Sequence, residues 1–217
     1  MHALYLENTV ELLPGLRALP IVHGSVEFTV LVREIFLEAP PAMAALELPE
    51  SVDGALRRAL PFADEIPVVS LPETEQRPPL HLILEPLEPL IEAARSAFEA
   101  DIPFHLIDFY QEHLPGWMPE FFPDTYALNV MSAREMYEAY QNGRPADPDT
   151  PRSLLTMDRV RETHMALQLR NLLRVSGDRL TPDRPILAIC GIQHVPRLAD
   201  LCAMDEETFE ERRRELD

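Results

Sequence analysis

Short apolar runs alternate along the chain with segments whose apolar residues recur at helical spacing. The runs are too short for core helices and are bounded by polar or proline-rich stretches, which is typical of buried strands. Between them, the apolar residues of 28–36 recur every three or four positions, and Glu88–Ala100 also has a helical pattern. Strands that alternate with helices predict an α/β fold with a mostly parallel central sheet flanked by helices. The runs predicted as strands are Leu16–Val22, Ala42–Leu48, Ile66–Leu71, Ile102–Ile107 and Ile186–Cys190, with Leu80–Leu84 as a shorter one.

The region 109–158 interrupts this alternation. Its first part, "YQEHLPGWMPEFFPD", is aromatic and broken by prolines, and "ALNVMSAREMYEAYQNG" then predicts a helix that ends at Gly143. The following "RPADPDTPR" has the composition of a loop. We interpret 109–158 as a helical insertion or lid before the last crossover helix of a single α/β domain, 1–217; ordinary packing of its aromatic residues on the core is the alternative. The charged end "EETFEERRRELD" predicts a surface helix without a stop signal, which is consistent with a piece of a longer protein.

Composition narrows the classes of function. All 19 basic residues are arginine, which excludes a lysine-containing phosphate loop, a kinase core and a pyridoxal Schiff base. No GxGxxG is present, so there is no dinucleotide fingerprint. The formal net charge of -18 disfavours nucleic acid and membrane surfaces as partners. These exclusions leave a small-molecule or peptide substrate, with further domains or a homo-oligomer both open.

Cysteine usage and the N-terminus bear on the compartment. The two cysteines do not make a disulfide framework, and Cys190 lies inside an apolar run, as a small core residue does. The N-terminus lacks a basic segment followed by an apolar stretch, and no apolar run approaches membrane-spanning length. We therefore expect a cytoplasmic protein.

Polar residues follow four of the predicted strands. His23, Glu47, Asp108 and His194 each stand at or just after the end of an apolar run. In parallel α/β sheets, ligands bind beyond the carboxyl ends of the strands. Each residue alone could be a turn or capping residue, but the four together predict a site at this edge of the sheet.

A fifth residue comes from the helix before the last strand. Arg161 heads a stripe of apolar residues at positions 165, 169 and 172 of that helix. A helix that connects parallel strands runs antiparallel to them, so its first turn lies at their carboxyl edge. A buried arginine needs a partner, and Glu47 or Asp108 could supply it; the alternative is an arginine that extends to solvent. His164 lies off this stripe and is predicted to be exposed.

This set of residues suggests two chemistries. Gly191 allows a sharp turn that brings His194 to the edge, and the ligand set His23, Glu47 and His194 suits a divalent metal such as Mn²⁺, Co²⁺ or Zn²⁺. The metal would lower the pKa of a bound water and create a hydroxide nucleophile. Without a metal, His23 could act as a general base, with Glu47 orienting it and Arg161 stabilising an oxyanion.

The order of these motifs resembles a known superfamily. "PIVHGS", "ALELPES", "HLIDF", "RETHMALQL" and "CGIQHVPRL" are similar to the motifs of the group that contains TraB/PrgY proteins, TIKI proteases, ChaN-type haem-binding lipoproteins and erythromycin esterases. The closing GxxH is matched by Gly191 and His194. The first GxxH, with its following x-S, is matched by His23 and Ser25, but Pro20 stands where the glycine is expected.

The resemblance implies different activities for different members. TIKI-like members imply a metal-dependent peptidase that uses both GxxH histidines and the glutamate. Erythromycin esterases imply a histidine base without an obligatory metal, and ChaN-like members imply haem, although no lipoprotein signal is present. Ser25, Asp108 and Gly191 would support the cofactor or the groups that hold it.

Taken together, the sequence predicts a metal-assisted hydrolase of an amide or ester bond, with His23, Glu47, Arg161 and His194 as catalytic residues. A non-catalytic module that binds a ligand or haem in the same pocket, or a regulatory domain, is the alternative. A fold that has lost its chemistry is the third.

Overall fold

The computed structural model describes residues 1–63, 65, 68–73, 79–109, 124–143 and 152–215. Its centre is a five-stranded sheet with the order β1-β2-β7-β3-β6. Strands β2, β7, β3 and β6 are parallel, and only β1 pairs antiparallel, with β2 at one edge. The predicted α/β fold with a mostly parallel sheet is confirmed. The strands of this sheet are β1 (Val10–Leu13), β2 (Leu16–Ile21), β3 (Met43–Pro49), β6 (Phe104–Asp108) and β7 (Ile186–Gly191).

Eight α-helices flank the sheet in the part of the chain that is described. Helix α2 begins after Ser25, whose hydroxyl oxygen accepts a hydrogen bond from the Phe28 amide, and the predicted apolar face of α2 is buried. The helices are α1 (Ala3–Asn8), α2 (Val26–Glu38), α3 (Asp53–Ala59), α4 (Pro89–Glu99), α5 (Ala133–Gly143), α6 (Arg152–Ser176), α7 (Val195–Ala203) and α8 (Glu206–Arg214). None of the described helices is long and apolar enough to cross a membrane.

The central strand β7 divides the core into two layers. Leu187 and Ile189 pack with α2 and α4 on one face of the sheet, whereas Ala188 and Cys190 pack with α6 and α7 on the other. All six residues of β7 are buried. A strand covered on both faces reads as a continuous apolar run, which is why the pattern of Ile186–Cys190 identified it.

Two of the predicted strands do not join the main sheet. The described part of the predicted run Ile66–Leu71 forms β4 (Val68–Leu71). The predicted run Leu80–Leu84 forms β5 (Leu80–Ile83). Strands β4 and β5 pair with each other as a separate antiparallel hairpin. Their residues alternate between exposed and more buried, because only one face is covered. The apolar composition of these runs indicated strands but not which partner each would pair with.

The insertion is helical where it is described. The predicted single helix at 127–143 is two pieces, a 3₁₀ turn (Thr125–Asn129) and α5, because Ser132 and Glu135 form a capping box that starts a new helix. Helix α6 begins at Arg152, so the last part of the predicted insertion already belongs to the crossover helix. Residues 110–123 and 144–151, with the predicted aromatic segment and loop, lie outside the described residues.

Pro20, the departure from the GxxH pattern, fits into β2 without the loss of a sheet hydrogen bond. The Ile21 carbonyl bonds toward β7, so the neighbouring Pro20 faces the β1 side. The pairing of β1 with β2 ends at Ala18, before Pro20 is reached. The missing amide hydrogen of proline therefore removes no bond between strands.

Candidate active site

The carboxyl edge of the parallel strands brings the predicted residues together. His23 follows β2, Glu47 and Asp108 lie near the ends of β3 and β6, and His194 follows β7. Arg161 reaches this edge from α6. It lies nine residues after the start of that helix rather than in its first turn, because α6 begins earlier than the sequence pattern indicated.

Arg161 forms the floor of the site with two carboxylates. Its Nε and Nη2 donate to Asp108 Oδ2 at 3.0 and 2.7 Å, and Nη2 also donates to Glu47 Oε1 at 2.6 Å. The three side chains are at most 10% exposed. Burial alone would lower the pKa of the Arg161 guanidinium. The negative charges of Glu47 and Asp108 outweigh this effect and raise its pKa above the usual value. The sequence offered these two carboxylates as alternative partners, and the structure pairs Arg161 with both.

Glu47 lies at the centre of the site. Regular pairing of β3 with β7 ends at Leu46, and the register with β6 shifts between Leu46 and Pro49, so that Glu47 stands at an irregular point of the strand. Its Oε2 accepts from the Gly191 amide at 2.6 Å.

Burial alone would raise the pKa of Glu47, but His194, His23 and Arg161 hold it well below its usual value. Glu47 is therefore a carboxylate at any neutral pH.

His194 is held between two carboxylates. Its Nε2 lies 3.3 Å from Glu47 Oε1, and its Nδ1 lies 2.8 Å from Glu162 Oε1. Burial would lower the pKa of His194, but Glu47 and Glu162 raise it to about 10. The ring is an imidazolium at neutral pH, and both nitrogens donate hydrogen bonds.

His23 is the accessible member of the site. Gly24 adopts a left-handed conformation, φ 68°, which turns the chain sharply between β2 and α2. The His23 side chain is 47% exposed, with Nε2 at 4.0 Å from Glu47 Oε2 and Nδ1 at 3.2 Å from Glu88 Oε1. Desolvation lowers the pKa of His23, but Glu88 and Glu47 raise it above its usual value. Among the predicted site residues, His23 alone combines a nearby carboxylate on each side with access to solvent.

The residues predicted to support a cofactor have specific positions. Ser25 caps α2 and donates to Glu27 Oε2 at 2.8 Å. Asp108 holds Arg161 and also accepts from the Phe109 amide at 2.9 Å. A Cβ atom at Gly191 would lie 3.3 Å from His23 Nε2 and 3.5 Å from Glu47 Oε2. Glycine at 191 thus leaves the space in which His23 and Glu47 approach each other.

Sequence reasoning missed the two carboxylates that hold the histidines. Glu88 caps the first turn of α4, where its side chain also accepts from the Gly24 amide at 3.0 Å. Nothing in the local pattern indicates that Glu88 reaches His23, 65 positions away. Glu162 stands next to Arg161 in the matched motif, and this adjacency was the one available signal. His164 is half-buried, with Nε2 at 3.3 Å from Glu50 Oε1.

Comparisons of the chain with family models, with curated proteins and with solved structures gave no match. The resemblance to the TraB/PrgY, TIKI, ChaN and erythromycin esterase group therefore rests on the sequence motifs alone.

The residues do not fit a metal ion in this arrangement. Among the described residues, no group of three or more histidine, cysteine, aspartate and glutamate side chains is arranged to hold one. Glu47 Oε1 faces the Arg161 cation, its Oε2 accepts from Gly191, and the His194 imidazolium has no lone pair to offer. Metal binding requires these contacts to open, and it stays a prediction.

The protonated state of His194 predicts a pH dependence of stability. Its pKa in the folded protein, about 10, lies above the usual 6.5. Its contribution to the free energy of unfolding is therefore complete below pH 6.5 and is lost as the pH rises from there to about 10. We expect the difference in unfolding free energy between wild type and His194→Gln, measured by urea denaturation, to shrink over this range.

The His194→Gln variant also serves as the control for other groups that titrate at high pH. Burial raises the pKa of Tyr5 and raises that of Cys202 to about 12, and both proteins share these effects. A difference between wild type and variant that stays constant from pH 6.5 to 10 would show that His194 is not protonated in the folded state.

Proposed function

We propose that this chain is a hydrolase of an amide or ester bond in which His23 is the general base. The observation that carries the proposal is the placement of His23. Its Nδ1 is held by Glu88, its Nε2 faces the Glu47 carboxylate, and about half of the side chain is open to solvent. A histidine oriented through one nitrogen and accessible at the other is the arrangement that general base catalysis needs.

The gap between His23 and Glu47 suits a water molecule. His23 Nε2 and Glu47 Oε2 are 4.0 Å apart. Two hydrogen bonds of about 2.8 Å that meet at an angle at one water oxygen can span this distance. One water can therefore donate to both atoms.

In the proposed reaction, Nε2 accepts a proton from this water as its oxygen attacks the carbonyl carbon. The imidazolium then returns the proton to the leaving oxygen or nitrogen, so His23 ends the cycle unchanged.

Arg161 and His194 act mainly on Glu47. Two positive charges beside Glu47 keep it ionised and in position, so it can accept the hydrogen bond from the water. Arg161 Nη1 lies 3.5 Å from Asp158 Oδ1, a longer contact than those of its Nε and Nη2. We assign to Nη1 the stabilisation of the oxyanion that forms during the attack.

Gly191 offers a direct test. We expect Gly191→Ala to lower hydrolysis by about a hundredfold, because the new methyl group displaces His23 Nε2 from the water position. Stability should change by less than about 1 kcal/mol, since the half-exposed His23 ring can move. The measurement is turnover of a panel of chromogenic esters and amides, with urea denaturation of the same samples.

The matched control is Gly177→Ala. A methyl group added at Gly177 would meet no described heavy atom within 4 Å, and the φ of this residue is not in the left-handed region. This variant should keep wild-type turnover. Equal turnover of Gly191→Ala and Gly177→Ala on a substrate that the wild type cleaves would rule out water activation between His23 and Glu47.

Metal-assisted hydrolysis is the second candidate, favoured by one observation. The Nδ1 of each histidine faces a carboxylate, Glu88 for His23 and Glu162 for His194, as in many metal sites where an outer carboxylate orients the ligand. If a metal binds, calorimetric titration of chelator-treated protein with Mn²⁺, Co²⁺ or Zn²⁺ should show tighter binding to the wild type than to His194→Ala. Binding should weaken as the pH falls, because neutral histidine is the ligand form. Equal binding to both proteins would remove this candidate.

A further inference from the structure

A groove of about 800 Å³ lies between α2 and the helices α1 and α5. It is formed by α1, α2 and the segment that joins the 3₁₀ turn to α5, and none of the candidate active-site residues lines it. Its volume matches roughly two turns of a helix about 10 Å across. The apolar residues that line it are Leu4, Leu6, Leu31, Leu128, Val130 and Met131.

Large apolar side chains are exposed in and beside this groove. Val130 is 84% exposed and Leu6 is 48% exposed. On α2, Val30 and Leu37 are 61% and 68% exposed. They share one stripe of the helix with Glu34, which lines the groove, because Glu34 follows Val30 by four residues and precedes Leu37 by three. A cluster of exposed apolar residues with polar neighbours is typical of an interaction surface.

The rim of the groove is acidic. Four glutamates line it, against one arginine, Arg134, which is paired with Glu138 at 2.9 Å. Glu135 caps α5. In the described part of the chain, Glu7 and Glu34 have neither a hydrogen-bond partner nor an ion-pair partner for their carboxylates. The groove therefore combines apolar residues with negative charge that no described residue neutralises.

We propose that this groove binds a basic amphipathic helix of a partner protein. Leucine-type side chains of such a helix, spaced at i, i+3, i+4 and i+7, would contact the apolar residues of the groove. Its arginine or lysine side chains would face Glu7 and Glu34. A second copy of the chain fits the surface less well, because each copy carries a net charge of -18 and two acidic rims would repel each other.

The test uses a defined probe. A fluorescent peptide of about 18 residues, built from leucine and arginine with a helical repeat, is titrated with the full chain and followed by anisotropy. Two comparison peptides have the same composition in scrambled order, and the same arginines with serine for leucine. We expect both to bind at least about tenfold more weakly than the amphipathic peptide, because they cannot place apolar side chains on one face.

Variants of the chain locate the binding site. Val130→Ser and the double variant Glu7→Arg/Glu34→Arg should each weaken binding of the amphipathic peptide about tenfold. The matched controls lie on the opposite face of the sheet: Val175→Ser, 64% exposed on α6, and Glu207→Arg/Glu211→Arg on α8. These controls should change binding by less than about threefold.

Three outcomes would overturn the proposal. The scrambled peptide could bind as tightly as the amphipathic one, which would mean that only total charge matters. Groove and control variants could weaken binding equally, which would place the peptide elsewhere. Sedimentation could show a dimer that Val130→Ser converts to a monomer, which would make a second copy the occupant.

Discussion

Replacing Arg161 with leucine is expected to lower the free energy of unfolding by about 3–5 kcal/mol, because it leaves a buried charge without its partner. Glu47 and Asp108 are 3% and 6% exposed, so solvent cannot take over the role of the guanidinium. The measurement is urea denaturation at neutral pH. A variant as stable as the wild type would show that Arg161 does not neutralise these carboxylates.

The pH dependence of the same variant separates electrostatics from packing. The pKa of Glu47 is lowered in the wild type, so its ionised form contributes stability above the usual 4.5, and this contribution is lost as the pH falls. In Arg161→Leu, Glu47 loses the part of this lowering that comes from the guanidinium, while the larger effect of His194 remains, so ionised Glu47 contributes less stability than in the wild type. The difference in unfolding free energy between wild type and variant should therefore be constant above pH 4.5 and narrow at lower pH, as Glu47 of the variant takes up its proton first. A loss of packing alone would give a difference that does not depend on pH.

Arg134→Leu is the matched control for this experiment. Arg134 is also paired with a glutamate, but its side chain is 49% exposed and that of Glu138 is 52% exposed. The loss of an exposed pair of this kind costs about 0–1 kcal/mol. A similar cost for Arg134→Leu and Arg161→Leu would mean that burial does not set the importance of the Arg161 contacts.

Replacing His23 with glutamine is expected to lower turnover by about 10²–10⁴-fold on any ester or amide that the wild type cleaves, which is the usual contribution of a general base. The fold should be unaffected, within about 0.5 kcal/mol, because nearly half of the side chain is exposed. The measurement is kcat with a chromogenic substrate, with urea denaturation of the same preparation.

The control for this experiment is His81→Gln. His81 is an exposed histidine on β5, where its Nδ1 lies 2.8 Å from Ser70 Oγ, and this variant should keep full activity. Turnover should rise with pH as His23 loses its proton, at a pH above the usual 6.5, because Glu88 and Glu47 raise its pKa. Glu88→Gln should move this rise to lower pH. Full activity in His23→Gln would remove His23 from the reaction and with it the proposed mechanism.

Local patterns in the sequence were sufficient for the elements that carry the site. The apolar run Ile186–Cys190 corresponds to β7, and the stripe headed by Arg161 corresponds to the buried face of α6, with Met165 and Leu169 fully buried. Both are properties of neighbouring residues. Alternation of strands and helices then implied parallel strands, whose carboxyl ends must share an edge. His23, Glu47, Asp108 and His194 could be placed at one edge by this argument.

The pairings within that edge could not be predicted in the same way. Gly191 and Glu47 are 144 positions apart, and His23 and Glu88 are 65 apart. Glu88 looked like an ordinary residue at the start of a helix, and only the position of α4 beside the turn at Gly24 brings it to His23. Likewise, the runs at 68–71 and 80–83 have strand composition, but their pairing with each other depends on which faces are covered in the folded chain.

The sequence by itself therefore determined the class of fold, the positions of its main strands and helices, and the set of polar residues at the carboxyl edge. These follow from periodicity, which depends on residues only a few positions apart. The tertiary structure alone decided that Arg161 bridges both carboxylates, that His194 is enclosed by Glu47 and Glu162, and that His23 remains open to solvent. Burial and charge around each side chain set these states, and both arise only when distant segments pack together.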